Sequence, residues 1–493
     1  MAREIELKLE LSDEGASALE TTELMPGAST STAELHATYF DTPDHQLRRN
    51  GLSLRIRRLG EQHVQTVKAD GARSVGLFTR GEWDLPLGGG TAPVADRQTP
   101  VPDLLGESFA QLVPVFEVPV LRKSWHGTFA DAEIELVLDR GEVQAPGRQD
   151  DFREIELELL RGPASALFAL ARRIDAIAPV RLSVLSEAER GHRLLEALPS
   201  CSRAEEARIH PGMDLPEIFT TLAQSCLRQY RLNENILLAS PAPEAVHQAR
   251  VGLRRLRACL YVFRDLADGT SLQEIDRGLR ALAATLGKAR DLDVLLIQIA
   301  PGPMRDRVAA ARDAAYHEVA QALASQQTRM LMLDLAEWLA CGDWLACGDW
   351  RKDPTMEELR RMPPGQFATE ALERLFRKLR KHGRHLASLD PASRHRLRRN
   401  AKKLRYTAEF FANLFPARDA QRRHRKFIDR LQRMQDDLGT LNDMATAARI
   451  LLALDGSGHA ETAELLSSRN EDALLESAES GFRKLIDHKP FWR

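Results

Sequence analysis

The sequence predicts an α+β protein of more than one domain, with antiparallel strands in its first part and an all-α second part. Three observations predict it. Before residue 200, charged and apolar residues alternate with period two in several stretches, the spacing of strands with one polar face. Beyond residue 214 the alternation stops and apolar residues recur at helical spacing. The helical part also uses one plan twice. VHQARVGLRRLRACLYVF at 246–263 returns as RHRLRRNAKKLRYTAEFF at 394–411, and LGKARD at 286–291 returns as LGTLND at 438–443.

Composition sets the bounds. A chain of 493 residues, 43% hydrophobic and 28% charged, reads as a soluble protein with ample core. Residues 1–200 hold 22 Lys+Arg against 32 Asp+Glu, and the remainder 47 against 39, so the two parts suit different ligands. The start, MAREIELKLEL, has no apolar leader core, and no apolar run spans a bilayer, so a cytoplasmic location without a membrane partner is expected. Five cysteines without metal-ligand spacing fit a reducing compartment. WLACGD occurs twice in 338–349 and reads as a linker duplication without chemistry.

Strands come first. Glu4, Glu6, Lys8 and Glu10 alternate with Ile5, Leu7, Leu9 and Leu11. The device recurs at Arg55 and Arg57, at Glu133 and Glu135, and at Glu154, Glu156 and Glu158. Like charges on neighbouring strands repel unless opposite charges or metal ions intervene. Glutamates on some strands and arginines on others can supply both halves of a metal–polyphosphate site.

These residues resemble the CYTH, or triphosphate tunnel metalloenzyme, family. Glu4-Ile5-Glu6-Leu7-Lys8 reads as its ExExK motif. Tyr39-Phe40-Asp41-Thr42-Pro43, Leu54-Arg55-Ile56-Arg57, Thr66-Val67-Lys68, Arg80-Gly81-Glu82-Trp83, Arg122 ahead of Trp125, and Glu154-Ile155-Glu156-Leu157-Glu158 follow in order. The resemblance covers residues 1–198 and implies an antiparallel eight-stranded β-barrel that binds triphosphate with Mg²⁺ or Mn²⁺. It implies Glu4, Glu6, Glu156 and Glu158 as metal ligands, and Lys8, Arg55, Arg57, Lys68, Arg80 and Arg122 on phosphate. Glu4, Glu6 and Lys8 are the catalytic candidates, with metal-activated water attacking a terminal phosphoryl group in line. Where the family often reads Ser-Lys-Ala-x-Arg-Gly, this chain has Ser186-Glu187-Ala188-Glu189-Arg190-Gly191, reversing one charge.

Turn-rich residues 199–213 read as a linker. Helices are expected at about 214–238, 243–265, 272–288, 291–299 and 304–339, then 366–387, 391–414, 419–438, 440–454 and 460–486. They form two pseudo-repeated bundles, about 214–345 and 355–487. On the first copy His247, Arg250, Arg254 and Arg257 fall within an arc of roughly 80°. So much like charge on one face calls for an anion, and a phosphate-rich ligand fits. Asp291 and Asp443 read as helix starts.

This part resembles the CHAD domain, a conserved-histidine α-helical family. His247, Arg250, Arg254, Arg255 and Arg257 match in the first copy, and His395, Arg398, Lys402, Lys403 and Arg405 in the second. The resemblance implies that these residues bind inorganic polyphosphate in a basic groove. The expected protein is a metal-dependent inorganic triphosphatase whose helical domain either holds it at polyphosphate granules or presents chain ends. Two alternatives remain, a nucleotide or thiamine triphosphate enzyme, or a polyphosphate-binding protein without turnover. Nucleic acid is disfavoured, because only 6% of residues are aromatic and no nucleic-acid module is present.

Overall fold

The structure, a computed structural model, describes residues 5–69, 75–78, 81–196, 199–266, 270–341, 358–359, 361–455 and 471–493. Contacts divide it into two units, residues 1–200 with 325–342, and residues 201–324 with 343–493. The strands are β1 (Glu6–Glu10), β2 (Ser29–Asp41), β3 (Leu52–Leu59), β4 (Gln62–Ala69), β5 (Leu77–Phe78), β6 (Glu82–Gly88), β7 (Val113–Phe129), β8 (Ala132–Ala145), β9 (Arg148–Arg161) and β10 (Arg181–Leu182). The helices are α1 (Asp13–Glu20), α2 (Gln46–Arg49), α3 (Val101–Leu105), α4 (Ser165–Asp175), α5 (Glu187–Leu194), α6 (Leu215–Ala239), α7 (Pro243–Val262), α8 (Thr270–Gln298), α9 (Pro303–Ala324), α10 (Gln326–Cys341), α11 (Pro364–His382), α12 (Pro391–Phe410), α13 (Arg418–Asp455) and α14 (Glu471–Ile486).

The sheet is antiparallel in the order β10-β1-β9-β8-β7-β2-β3-β4-β6, with β5 also on β1. It is an open sheet of ten strands, not the closed eight-stranded barrel expected. Among the described residues β6 pairs only with β4. The edge of β1 is taken by the two-residue strands β5 and β10, which adds two strands and leaves no ladder from β6 to β1. Alternation sorts the two faces. Leu7, Leu9, Ile134, Leu136, Ile155 and Leu157 are buried on one. Leu167, Phe168, Leu170 and Ile174 of α4, which packs on β1 and β9, are buried with them. The charged residues take the other face.

The expected helix 304–339 is two helices broken at Ser325, whose hydroxyl accepts from the Thr328 amide at 3.2 Å. The second, α10, belongs to the sheet unit and packs on α4. Buried Asp175 of α4 accepts from Arg329 at 2.5 and 3.1 Å, and Arg172 donates to Asp334 and Glu337 at 2.7 and 2.5 Å.

In the helical unit α6–α9 form one half and α11–α14 the other, with α7 against α12 and α8 against α13. Phe263 and Phe411, equivalent positions of the duplicated stretch, meet with ring centroids 6.1 Å apart, and Phe263 stacks on Phe367 at 4.9 Å. Gly252 permits the close approach of α6 and α7, since a Cβ there would lie 2.9 Å from the Tyr230 backbone nitrogen. The helices expected at 272–288 and 291–299 are one, α8, and those at 419–438 and 440–454 are one, α13. Asp291 and Asp443 are therefore interior, not helix starts. No proline breaks either run, and Asp291 finds a cationic partner in Arg250 at 3.5 Å. The helix expected at 460–486 is described only from Glu471.

Candidate functional site

A cavity with about 140 Å³ of water-accessible volume opens on the charged face of the sheet. Five cations line it, Lys8, Arg55, Arg57, Lys68 and Arg122, with six carboxylates, Glu6, Glu82, Glu135, Glu156, Glu158 and Glu187. Register explains the grouping. Glu6 pairs with Glu158, and Glu158 with Glu135, so three carboxylates form one row across β1, β9 and β8. One step along, Lys8 faces Glu156; a further step gives Glu10, Glu154 and Asp139, with Arg122 beyond on β7. On the opposite wall, Arg55 and Arg57 share a face of β3, and Lys68 faces Glu82 across β4 and β6.

The cations are held by carboxylates. Lys8 bonds Glu156 and lies 3.2 Å from Glu6. Arg122 donates to Asp139 at 2.8 and 2.5 Å and to Glu156 at 3.0 Å. Lys68 is 2.9 Å from Glu82. Burial works against the Glu156 charge, but Lys8 and Arg122 outweigh it and hold this carboxyl well below the usual range. Burial pushes Glu154 up to about 7 and Asp139 up to about 6. It also raises Glu158, helped by the carboxylates of Glu135, Glu6, Glu156 and Glu82.

The cavity's remaining wall is the first turn of α5. Ser186 caps it through a capping box with Glu189. Gly191 lets it lie on Phe116, where a Cβ would come within 2.2 Å of the ring. Phe116 stacks on Tyr39 at 4.7 Å. Glu187 thereby meets the Tyr39 hydroxyl at 2.7 Å and Arg55 at 2.8 Å, with Arg57 at 3.6 Å. Although burial opposes it, Arg55 and Arg57 depress the Glu187 carboxyl far below the usual range.

Of the site residues expected from sequence, Glu4 and Arg80 lie outside the described residues. Glu6, Lys8, Arg55, Arg57, Lys68, Arg122, Glu156 and Glu158 all line the one cavity. Sequence reasoning left out Tyr39, Glu82 and Glu135. Glu135 was visible in an alternating strand, but only the pairing of β8 with β9 puts it beside Glu158. Among the described residues no three His, Cys, Asp or Glu side chains are gathered closely enough to hold a metal by themselves. The row Glu6, Glu158 and Glu135 nevertheless suits a divalent ion. Its crowded carboxylates are oxygen donors, and Mg²⁺ characteristically takes one or two carboxylates and completes its shell with water and substrate phosphate.

In the helical unit the structure explains why the two duplicated signatures travel together. Arg250 lies against Gly287, donating to its carbonyl at 3.2 Å, and a Cβ there would sit 3.6 Å from the guanidinium. A Cβ on Gly439 would likewise sit 3.5 Å from the Arg398 guanidinium. Arg250, Arg254, Arg398 and Lys402 converge. Burial, then Arg254, Arg398, Arg250 and Arg405, bring the Lys402 ammonium down to about 6. Among the described residues Arg254, Arg398 and Lys402 have no ion-pair partner, and the Nε atoms of both arginines are buried without a hydrogen bond. Burial and Arg290 bring His247 down to about 4, so it is neutral at pH 7. His395 is exposed and bonds Asn442 at 2.9 Å.

The other four cations point elsewhere. Arg257 binds Asp276 at 2.8 Å, and Arg255 and Arg405 bind Glu409 at 3.3 and 3.4 Å. Lys403 lies 3.7 Å over the Tyr261 ring. Residues 215–324 carry 14 Lys+Arg against 12 Asp+Glu, and 364–455 carry 21 against 10, so the second half supplies most of the positive field. No described helix is long and apolar enough to cross a membrane.

Each part of the chain matches a known family. Residues 2–192 match the CYTH domain model and residues 221–452 the CHAD domain model. An inorganic triphosphatase of Haemophilus influenzae is 30% identical over 164 residues, 32% of this chain and 45% of that protein. An uncharacterised Mycobacterium tuberculosis protein is 31% identical over 332 residues, 62% of this chain and 60% of that one. The chain thus spans about half the length of the curated relatives it matches. The crystal structure of a CHAD domain from Ricinus communis is 28% identical, covers 57% of this chain and 96% of its own, and superposes with a TM-score of 0.49.

Proposed function

The chain joins a CYTH domain to a CHAD domain, and from that premise we propose that it is a metal-dependent triphosphatase acting on inorganic triphosphate, with a helical unit that binds inorganic polyphosphate. One observation carries this reading. The cavity sets a carboxylate row, Glu6, Glu158 and Glu135, beside the cations Lys8, Arg122, Lys68, Arg55 and Arg57. Neutral substrates gain nothing from such a lining, whereas a metal-bound polyanion satisfies both parts.

Glu6 and Glu158, with Glu135 beside them, would hold Mg²⁺ or Mn²⁺, which when bound supplies charge neutralisation and an activated water. Lys8 and Arg122, fixed by Glu156 and Asp139, would orient the central phosphates. Arg55, Arg57 and Lys68 would take the rest of the chain, and the nearly buried lining keeps these donors in place without reorganisation. In the helical unit Arg254, Arg398 and Lys402, without an ion-pair partner among the described residues, support binding of a longer phosphate chain.

The test is phosphate release from inorganic triphosphate with Mg²⁺ or Mn²⁺, comparing the native chain with Glu6→Ala/Glu158→Ala. Turnover should fall by about a hundredfold or more while polyphosphate binding persists. Native chain without turnover on triphosphate, but active on ATP or thiamine triphosphate, would replace this substrate assignment. Absence of turnover on all three would leave binding as the function.

A further inference from the structure

Five of the six carboxylates in the sheet cavity come from strands; Glu187 comes from α5. Its carboxylate sits where three donors converge, the Tyr39 hydroxyl at 2.7 Å, Arg55 at 2.8 Å and Arg57 at 3.6 Å. Two guanidiniums and a phenol around one point are a donor set for a terminal phosphate group. β3 places Arg55 and Arg57 on one face, Tyr39 stacks on Phe116, and Arg55 also donates to the Tyr39 hydroxyl at 3.3 Å, a contact in which Glu187 takes no part. The carboxylate's own position is set by the capped first turn of α5 and by Gly191 against Phe116.

We propose that Glu187 is a tethered competitor, a side chain that occupies the anion subsite of Arg55, Arg57 and Tyr39 and must leave it whenever a phosphate enters. This rests on the reading that phosphate binds in the sheet cavity. A group tethered beside its own site competes at high effective concentration. It therefore weakens every phosphate that uses the subsite by a common factor, substrate and product alike. When the product diphosphate loosens, Glu187 recaptures both arginines and speeds release.

The experiment is calorimetric titration of the full chain and its Glu187→Gln and Glu187→Asp variants with inorganic diphosphate in Mg²⁺ buffer, and with inorganic triphosphate in the same buffer with the metal removed by chelation so that no turnover occurs. The helical unit is identical in all three proteins, so differences report on the sheet cavity. Glu187→Gln should tighten both ligands by a similar factor, about ten- to a hundredfold. Glu187→Asp keeps the charge but is one methylene too short to bridge both arginines, and should also tighten both. Diphosphate and triphosphate affinities unchanged or weakened in Glu187→Gln would overturn the proposal. So would tightening in Glu187→Gln with none in Glu187→Asp, which is the signature of net charge alone. Diphosphate binding is read without turnover, so a chain that hydrolyses nothing still tests the role of Glu187, independently of triphosphatase activity.

Discussion

In the sheet cavity Lys8, Arg55, Arg57, Lys68 and Arg122 each face a carboxylate, whereas in the helical unit Arg254, Arg398 and Lys402 face one another. Both sets are suited to phosphate, but their unliganded states differ. The sheet cations are neutralised within the fold, so a ligand must displace carboxylates or arrive with metal, which favours selectivity over raw affinity. The helical cations repel one another in the free protein, so a bound polyanion would also relieve that repulsion. On the function proposed above, the sheet unit would discriminate and turn over, and the helical unit would hold.

Removing the frustrated cations breaks the comparison most sharply. Arg254→Ala/Lys402→Ala should raise the polyphosphate dissociation constant about ten- to a hundredfold and flatten the salt dependence by a slope of about 1.5 to 2. Filter binding across a salt series reads both. An unchanged slope would place the polyphosphate elsewhere.

A smaller effect sharpens the comparison through protons. Lys402 has an ammonium brought down to about 6 in the free protein, and a bound polyanion must raise it. Below pH 6 the amine is already charged and binding takes up no proton. Above it, binding takes up one, so affinity falls as pH rises from 6.5 to 8.5, by at most about tenfold per pH unit. Lys402→Arg should be flat over that window. A native profile that is flat, or that rises with pH, would remove Lys402 from the site.

The smallest effect concerns Gly287. The added Cβ of Gly287→Ala would meet the Arg250 guanidinium only at ordinary contact distance. Alanine should therefore stabilise α8 by up to about 1 kcal/mol in urea unfolding and leave polyphosphate affinity nearly unchanged. A destabilised variant would mean that Arg250 needs the empty space.

The alternation Glu6-Leu7-Lys8-Leu9 makes the charged face legible in the sequence, because period two is a local property. The row Glu6, Glu158 and Glu135 is not legible there, because it depends on pairing across about 150 residues. Glu187 is visible as a reversed charge, but its partners Tyr39 and Arg55 appear only once α5 is docked. In the helical part the duplicated phrases mark the repeat, while the placement of Arg250 beside Gly287 and Arg398 beside Gly439 appears only with the packing of α7 on α8 and α12 on α13. Asp291 reads as a cap in the sequence because an aspartate inside a helix is disfavoured until a facing arginine compensates it. The exchange of α10 is hidden because helical periodicity runs on past Ser325 and carries no information about which unit a helix joins.

That exchange has a consequence for how the molecule is made. The buried carboxylate of Asp175 is translated about 150 residues before Arg329, the side chain that neutralises it. On the ribosome the sheet unit therefore waits, with an uncompensated charge on α4, while the whole first helical half emerges. The order of synthesis is not the order of completion, and a fragment cut in the 199–213 segment would keep every strand yet lack the helix that finishes their outer layer.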